Sequence, residues 1–177
     1  MKLNRLWALL KKHKHISVMQ GDFNQWIGDG CSAYPIYNLP DLKERVVQTL
    51  LDVKDDAWDG FIFKGDETVS FTEEDIIEEQ FDLTPLSVEL HYHGMDLMPL
   101  VGDGRIFFIQ TKYLKPFENT LLLSYYYREE AGGIIAVNEG LVLSAVICPV
   151  SMSRDKVFEE TLYKLYDLTK REGGGAE

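Results

Sequence analysis

Two histidines set two residues apart, His91 and His93, have the spacing that best suits chemistry. Side chains two apart on a strand share a face, so the pair predicts a ligand position that Asp96 or Glu89 would complete. Imidazole with carboxylate suits zinc, iron, nickel or manganese. No histidine follows His93, however, and His13 and His15 join the pair only if the N-terminal segment folds against this face. The plainer reading is a solvated strand face, and no cofactor is expected.

Other chemistries find less support. The chain has no Gly-x-Ser-x-Gly elbow, and neither Cys31 nor Cys148 sits in a motif that activates a thiol. With only these two cysteines there is no disulfide framework and no paired zinc spacing, so both are expected to be reduced, buried thiols. A phosphate-binding loop is missing, and Gly102-x-Gly104 lacks the third glycine of a dinucleotide site. Glu73, Glu74, Asp75, Glu78 and Glu79 follow Thr72 in a capping-box pattern, which predicts a helix with a solvated acidic face. Tyr125, Tyr126 and Tyr127 offer stacking surfaces for bases, but Glu129 and Glu130 would repel phosphate, which favours sheet packing.

Composition sets the wider limits. The 177 residues carry 18 Lys and Arg against 29 Asp and Glu, a net charge of −11 that opposes unassisted binding to a phosphate backbone. The charge is uneven: Lys2, Arg5, Lys11, Lys12 and Lys14 crowd the start, while residues 52–89 are heavily acidic. The basic group is the candidate DNA-facing or partner-facing surface, through which self-association or a protein partner is expected. No apolar run is long enough to span a membrane and the start lacks a secretory pattern, so a cytoplasmic protein without membrane contact is expected.

The elements that must position these residues follow from periodicity. Leu3, Leu6, Trp7 and Leu10 recur at helical spacing, as do Leu42, Val46, Leu50 and Val53 after Pro40. Strands are expected at 15–20, 24–27, 31–37, 60–64, 87–92, 105–110, 121–128, 134–137 and 141–149, with a short helix at 111–118. A last helix at 153–171 places Phe158, Leu162, Leu165 and Tyr166 on one stripe, and 173–177 reads as flexible tail. The fold class is therefore α+β, an antiparallel sheet with packed helices, in a single domain spanning 1–172. Trp26–Gly30 and Leu100–Gly104 each lead to a strand, a Pro-bearing helix start and a Thr-Leu-Leu sequence. That order suggests two similar halves, 1–53 and 87–152, joined by the acidic connection 54–86.

Tyr113-Leu114-Lys115-Pro116-Phe117, the strands that follow, and the closing run Gly140-Leu141-Val142-Leu143-Ser144-Ala145-Val146-Ile147-Cys148-Pro149-Val150 resemble the end of a repeat in bacterial DNA sliding clamps. The resemblance covers about 40 residues and implies a domain of two similar helix-and-sheet halves. The overall style also resembles that of prophage or mobile-element proteins. On this reading the chain is a non-enzymatic, clamp-like module acting through protein or DNA contacts in replication or on a mobile element. Two alternatives stand beside it: an acidic, immunity-type protein that neutralises a basic partner, and a metal-dependent enzyme using His91 and His93.

Overall fold

The computed structural model describes residues 1–151, 158, 160–164 and 166. Helix α1 (Leu3–His13) leads into the meander β1 (His15–Gln20), β2 (Gln25–Gly28) and β3 (Ser32–Ile36). Then come α2 (Glu44–Leu50), α3 (Asp55–Trp58), β4 (Ile62–Thr68) and β5 (Gln80–Pro85). The hairpin strands β6 (Leu90–Tyr92), β7 (Met95–Gly102) and β8 (Arg105–Gln110) precede a 3₁₀ helix, Thr111–Phe117. A second meander closes the sheet, with β9 (Leu123–Arg128), β10 (Ile134–Glu139) and β11 (Val142–Ile147).

Among the described residues all eleven strands join one sheet, ordered β4-β1-β2-β3-β11-β10-β9-β5-β7-β6, with β8 on β7. The α+β expectation holds. The stretch 54–86 is more than a connection, because β4 pairs in parallel with β1 and β5 antiparallel with β9. The 26–30 and 100–104 segments each end a strand and open a hairpin followed by a helix. Topology also repeats a different unit, in which α1 precedes β1-β2-β3 as the 3₁₀ helix precedes β9-β10-β11. The two meanders meet where β3 pairs antiparallel with β11, at Ala33 with Val146 and Ser32 with Ile147. This ladder is short for a reason in the sequence: Asp29 N–H bonds Ser32 O on the β2 side, so alternate residues from Ala33 turn towards β11, and Pro35 has no N–H to offer there.

Each face of the sheet buries its own cluster. On one, Ile16, Val18, Ile27, Tyr34, Ile135 and Val137 pack under Leu6, Leu9 and Leu10 of α1 and Tyr113 and Phe117 of the 3₁₀ helix. The α2 stripe is set one residue later than its periodicity suggested, since Val47 and Leu51 are buried and Val46 and Leu50 lie at the margin. On the opposite face Trp26, Ala33, Ile134, Ala136, Leu143 and Val146 are covered by Val69 and Phe71. Phe71 meets the Trp26 ring edge-on at 4.9 Å, a pairing worth about 1 kcal/mol beyond its buried area.

Val69 and Phe71 belong to a strap, residues 69–79, where the capping-box pattern predicted a helix. No helix forms, because tertiary polar bonds claim its backbone. Arg128, fully buried, donates from Nη1 to Thr72 O and from Nη2 to Glu74 O and Asp75 O, at 2.9–3.1 Å. Asn138 Nδ2 donates to Asp75 O as well, and the Asp75 carboxylate accepts Leu143 N–H at 2.7 Å. The expected helix 153–171 falls partly outside the described residues. Within it Phe158, Glu160–Lys164 and Tyr166 are helical, and Phe158 stacks on Tyr92 at 5.0 Å.

Replacing Arg128 by Met keeps most of the volume but strands three strap carbonyls. Urea unfolding of R128M is expected to show a loss of about 3 kcal/mol, the usual cost of breaking a buried charged network. A loss below about 1 kcal/mol would mean the strap is held by Trp26 and Phe71 instead.

Candidate functional site

The histidine pair does not share a strand face. Tyr92 pairs with Met95 at the end of the β6–β7 hairpin, which leaves His93-Gly94 as its two-residue turn, with φ of 47° and 77°. Positive φ at both central positions is the type I′ geometry that suits a tight hairpin. His91 stays on β6, exposed, with Nδ1 2.8 Å from Asp96 Oδ1 on β7. Glu89 precedes the strand. No cluster of three metal-ligating groups occurs among the described residues, so His91, His93 and Asp96 are not brought together as a metal site.

The basic residues Lys2, Arg5, Lys11, Lys12 and Lys14 are all exposed on or beside α1. Three are engaged by their own chain. Arg5 pairs with Glu118 at 2.8 Å, Lys11 Nζ donates to Asp52 O at 2.9 Å, and Lys14 lies over the Phe61 ring at 5.9 Å.

The polar centre of the molecule is one that spacing did not reveal. Gly30 takes φ +85° at the tip of the β2–β3 hairpin, in the position glycine fills in a type II′ turn. Gly28 is fixed by proximity: a Cβ there would lie 1.7 Å from Ser32 O. Asp29 turns its carboxylate inward. Oδ1 accepts the N–H groups of Cys31 and Ser32 and the Ser32 hydroxyl, at 3.0–3.1 Å. Oδ2 accepts the Tyr113 hydroxyl at 3.0 Å and faces His13 Nδ1 at 2.5 Å. Burial alone would push the Asp29 carboxyl up, yet the bonds from His13, Cys31, Tyr113 and Ser32 hold it below its usual value. Tyr113 is pushed the other way, by burial and by the Asp29 charge, so it stays a phenol that donates. Tyr34 in turn donates its hydroxyl to Tyr113 O at 2.8 Å.

The same hairpin tip exposes Cys31, and Cys148 is exposed beside it, against the expectation of two buried thiols. The reason is local. Cys31 is a central residue of the turn, and Cys148 follows the last residue of β11, with Pro149 unable to continue a ladder. Cys148 N–H bonds Cys31 O at 2.8 Å, and both residues line a groove of about 290 Å³ with Ser17, Met19, Glu67 and Phe71. Among the described residues no imidazole is hydrogen-bonded to either thiol. Burial, then the neighbouring Cys31 and Asp29, push the Cys148 thiol up, the opposite of what an activated nucleophile requires.

The acidic residues of the strap divide into two groups. Glu73 accepts Trp26 Nε1–H at 2.7 Å and Asp22 N–H at 2.5 Å, and Asp75 is held as described, so both are structural. Glu74, Glu78 and Glu79 are exposed on the strap, and Asp52, Asp56, Asp59 and Asp66 are exposed before and within β4.

The Asp29 node has a pH signature. Its folded carboxyl lies below the ordinary 3.8, so the stability it contributes is complete above that value and disappears as pH falls through the lower, folded one. D29N is expected to cost about 1–3 kcal/mol near neutrality, and its gap to wild type to narrow as pH falls below 3.8, read from urea midpoints across pH. A gap independent of pH would show that Asp29 is not held ionised. Set against known proteins, the chain matches no family model, no curated protein and no solved structure.

Proposed function

We propose that the chain is a non-enzymatic binding module whose acidic side docks a basic protein partner. The observation that carries this is the strap: Glu74, Glu78 and Glu79 are exposed on a segment that the buried Arg128 pins to the sheet at Thr72, Glu74 and Asp75. A charged surface fixed in advance loses little conformational entropy on binding, and it steers an oppositely charged partner into place. The engagement of Arg5, Lys11 and Lys14 within the chain weighs against a DNA-facing α1 and leaves the net charge of −11 to set the long-range field. The test is a pull-down from source cells with wild type and with the triple variant E74Q/E78Q/E79Q, over a salt series. A basic protein retained by wild type is expected to come off by about 0.5 M salt and to lose about tenfold in affinity for the triple variant. Retention indifferent to both changes, or retention of nucleic acid, overturns the reading.

A sliding-clamp-like role is the second reading, favoured by the helix-plus-meander unit that occurs twice about the β3–β11 pairing. It requires a closed assembly of several copies. Edge-to-edge closure is opposed by β4, which is exposed, carries Lys64, Asp66 and Glu67, and shifts register against β1 between Ser17 and Met19. Light scattering over a concentration and salt series decides: a stable closed oligomer supports the clamp-like role, and a strict monomer removes it.

A further inference from the structure

The geometry points to Cys31 and Cys148 as a reversible dithiol site, oxidised to an intramolecular disulfide by small-molecule disulfides such as oxidised glutathione. Cys148 N–H bonds Cys31 O at 2.8 Å and continues the β3–β11 register beyond Ile147 with Ser32, so the two residues stand across from one another. Cross-strand neighbours hold their Cα atoms about 4.5–5.5 Å apart, within the range that a disulfide spans. Both residues are exposed and line the same groove, and the Cys148 thiol feels the Cys31 charge, while the Cys31 thiol also lies beside the Tyr113 hydroxyl. Neither residue lies within a strand: Cys31 is in the turn and Cys148 follows β11, so the pair sits where the ladder ends.

The chemistry balances as two thiol–disulfide exchanges. Cys31, at the tip of the hairpin, is the attacking thiol, and Cys148, whose thiol is pushed up by burial and by the neighbouring Cys31 and Asp29, is the resolving one. Cys31 loses its proton and attacks one sulfur of the glutathione disulfide, forming a mixed disulfide and releasing one glutathione thiolate, which takes up that proton. Cys148 then attacks the Cys31 sulfur and loses its own proton to the second glutathione released. The two cysteine thiols are oxidised by two electrons, and one glutathione disulfide is reduced to two thiols.

The bond would staple the β2–β3 hairpin tip to the exit of β11, across the short ladder that joins the two meanders. It would also cross the mouth of the 290 Å³ groove. Because it closes a long loop of chain, oxidation is expected to raise Tm by an amount on the order of 10 °C.

The experiment treats the full chain with a graded series of oxidised and reduced glutathione, quenches with an alkylating agent and reads intact mass, peptide map and Tm. Expected are a loss of about 2 Da, a Cys31–Cys148 linked peptide from monomeric protein, the rise in Tm, and full reversal by reduced glutathione. C31S and C148S should each retain the reduced-state Tm and gain none on oxidation, and the one remaining thiol should stop at a glutathione adduct. Adducts on both cysteines of wild type without a link, disulfides only between chains, or a link that forms only in denaturant overturns the assignment.

Discussion

A carboxylate taken out of water must have its lone pairs filled, and Asp29 is where this protein meets that requirement. At 4% side-chain exposure it accepts from two backbone N–H groups, the Ser32 and Tyr113 hydroxyls and His13. The donors come from α1, the β2–β3 hairpin and the 3₁₀ helix, so satisfying one charge aligns three elements. An unpaired charge there would cost several kcal/mol, which makes the arrangement close to all-or-none. The turn that presents Cys31 takes its shape from this, since Asp29 holds the N–H groups of both Cys31 and Ser32.

Arg128 plays the corresponding part on the opposite face. That face is apolar at Trp26, Ile134, Leu143 and Val146 and needs a cover, yet the strap over it contributes only Val69 and Phe71. Apolar area alone would hold eleven residues of irregular chain weakly. The buried guanidinium supplies what is missing, because its fork reaches three carbonyls that a helix would otherwise have used. The acidic surface follows from this fastening: a freely solvated acidic helix would spread its charges around an axis, whereas the strap ties the carboxylates of Glu73 and Asp75 to the sheet and leaves Glu74, Glu78 and Glu79 exposed beside them.

Much of the sheet was legible, and the reason is local chemistry. Asp103-Gly104, with both residues at positive φ, marks the turn before β8, and Gly21-Asp22 marks the turn after β1, whereas β7 was not among the expected strands. What escaped was whatever long-range partners decide. Thr72 with Glu73, Glu74 and Asp75 is a good helix start in isolation, and long-range partners override it, Arg128 at 53 to 56 residues and Asn138 and Leu143 further on. His91 and His93 alternate on paper, but the demand of a two-residue hairpin for positive φ takes His93 out of the strand. The Asp29 node left no signal, because its donors, at 13, 31, 32 and 113, meet only once the sheet has formed; Gly-Asp-Gly reads as a turn whatever its aspartate binds. The thiols were misplaced for a related reason: a cysteine beside Val146 and Ile147 reads as core until Pro149 is seen to end the strand there.

The two meanders share a ladder too short to hold them by itself, since Pro35 ends the donors on the β3 side. The remaining connection runs through α1, a helix of the first meander fastened to the second at both its ends. Its start is bonded through Lys2 N–H to Pro116 O, and its last residue, His13, reaches Asp29 and through it Tyr113. Between these points Leu6, Leu9 and Leu10 bury against the same core as Phe117. Helix and ladder thus brace the seam from one face and from within the sheet, and the strap does so from the other, reaching from Glu73 at Trp26 on β2 to Asp75 at Leu143 on β11. A seam braced on three sides by polar bonds is specific in register where apolar packing would tolerate slippage.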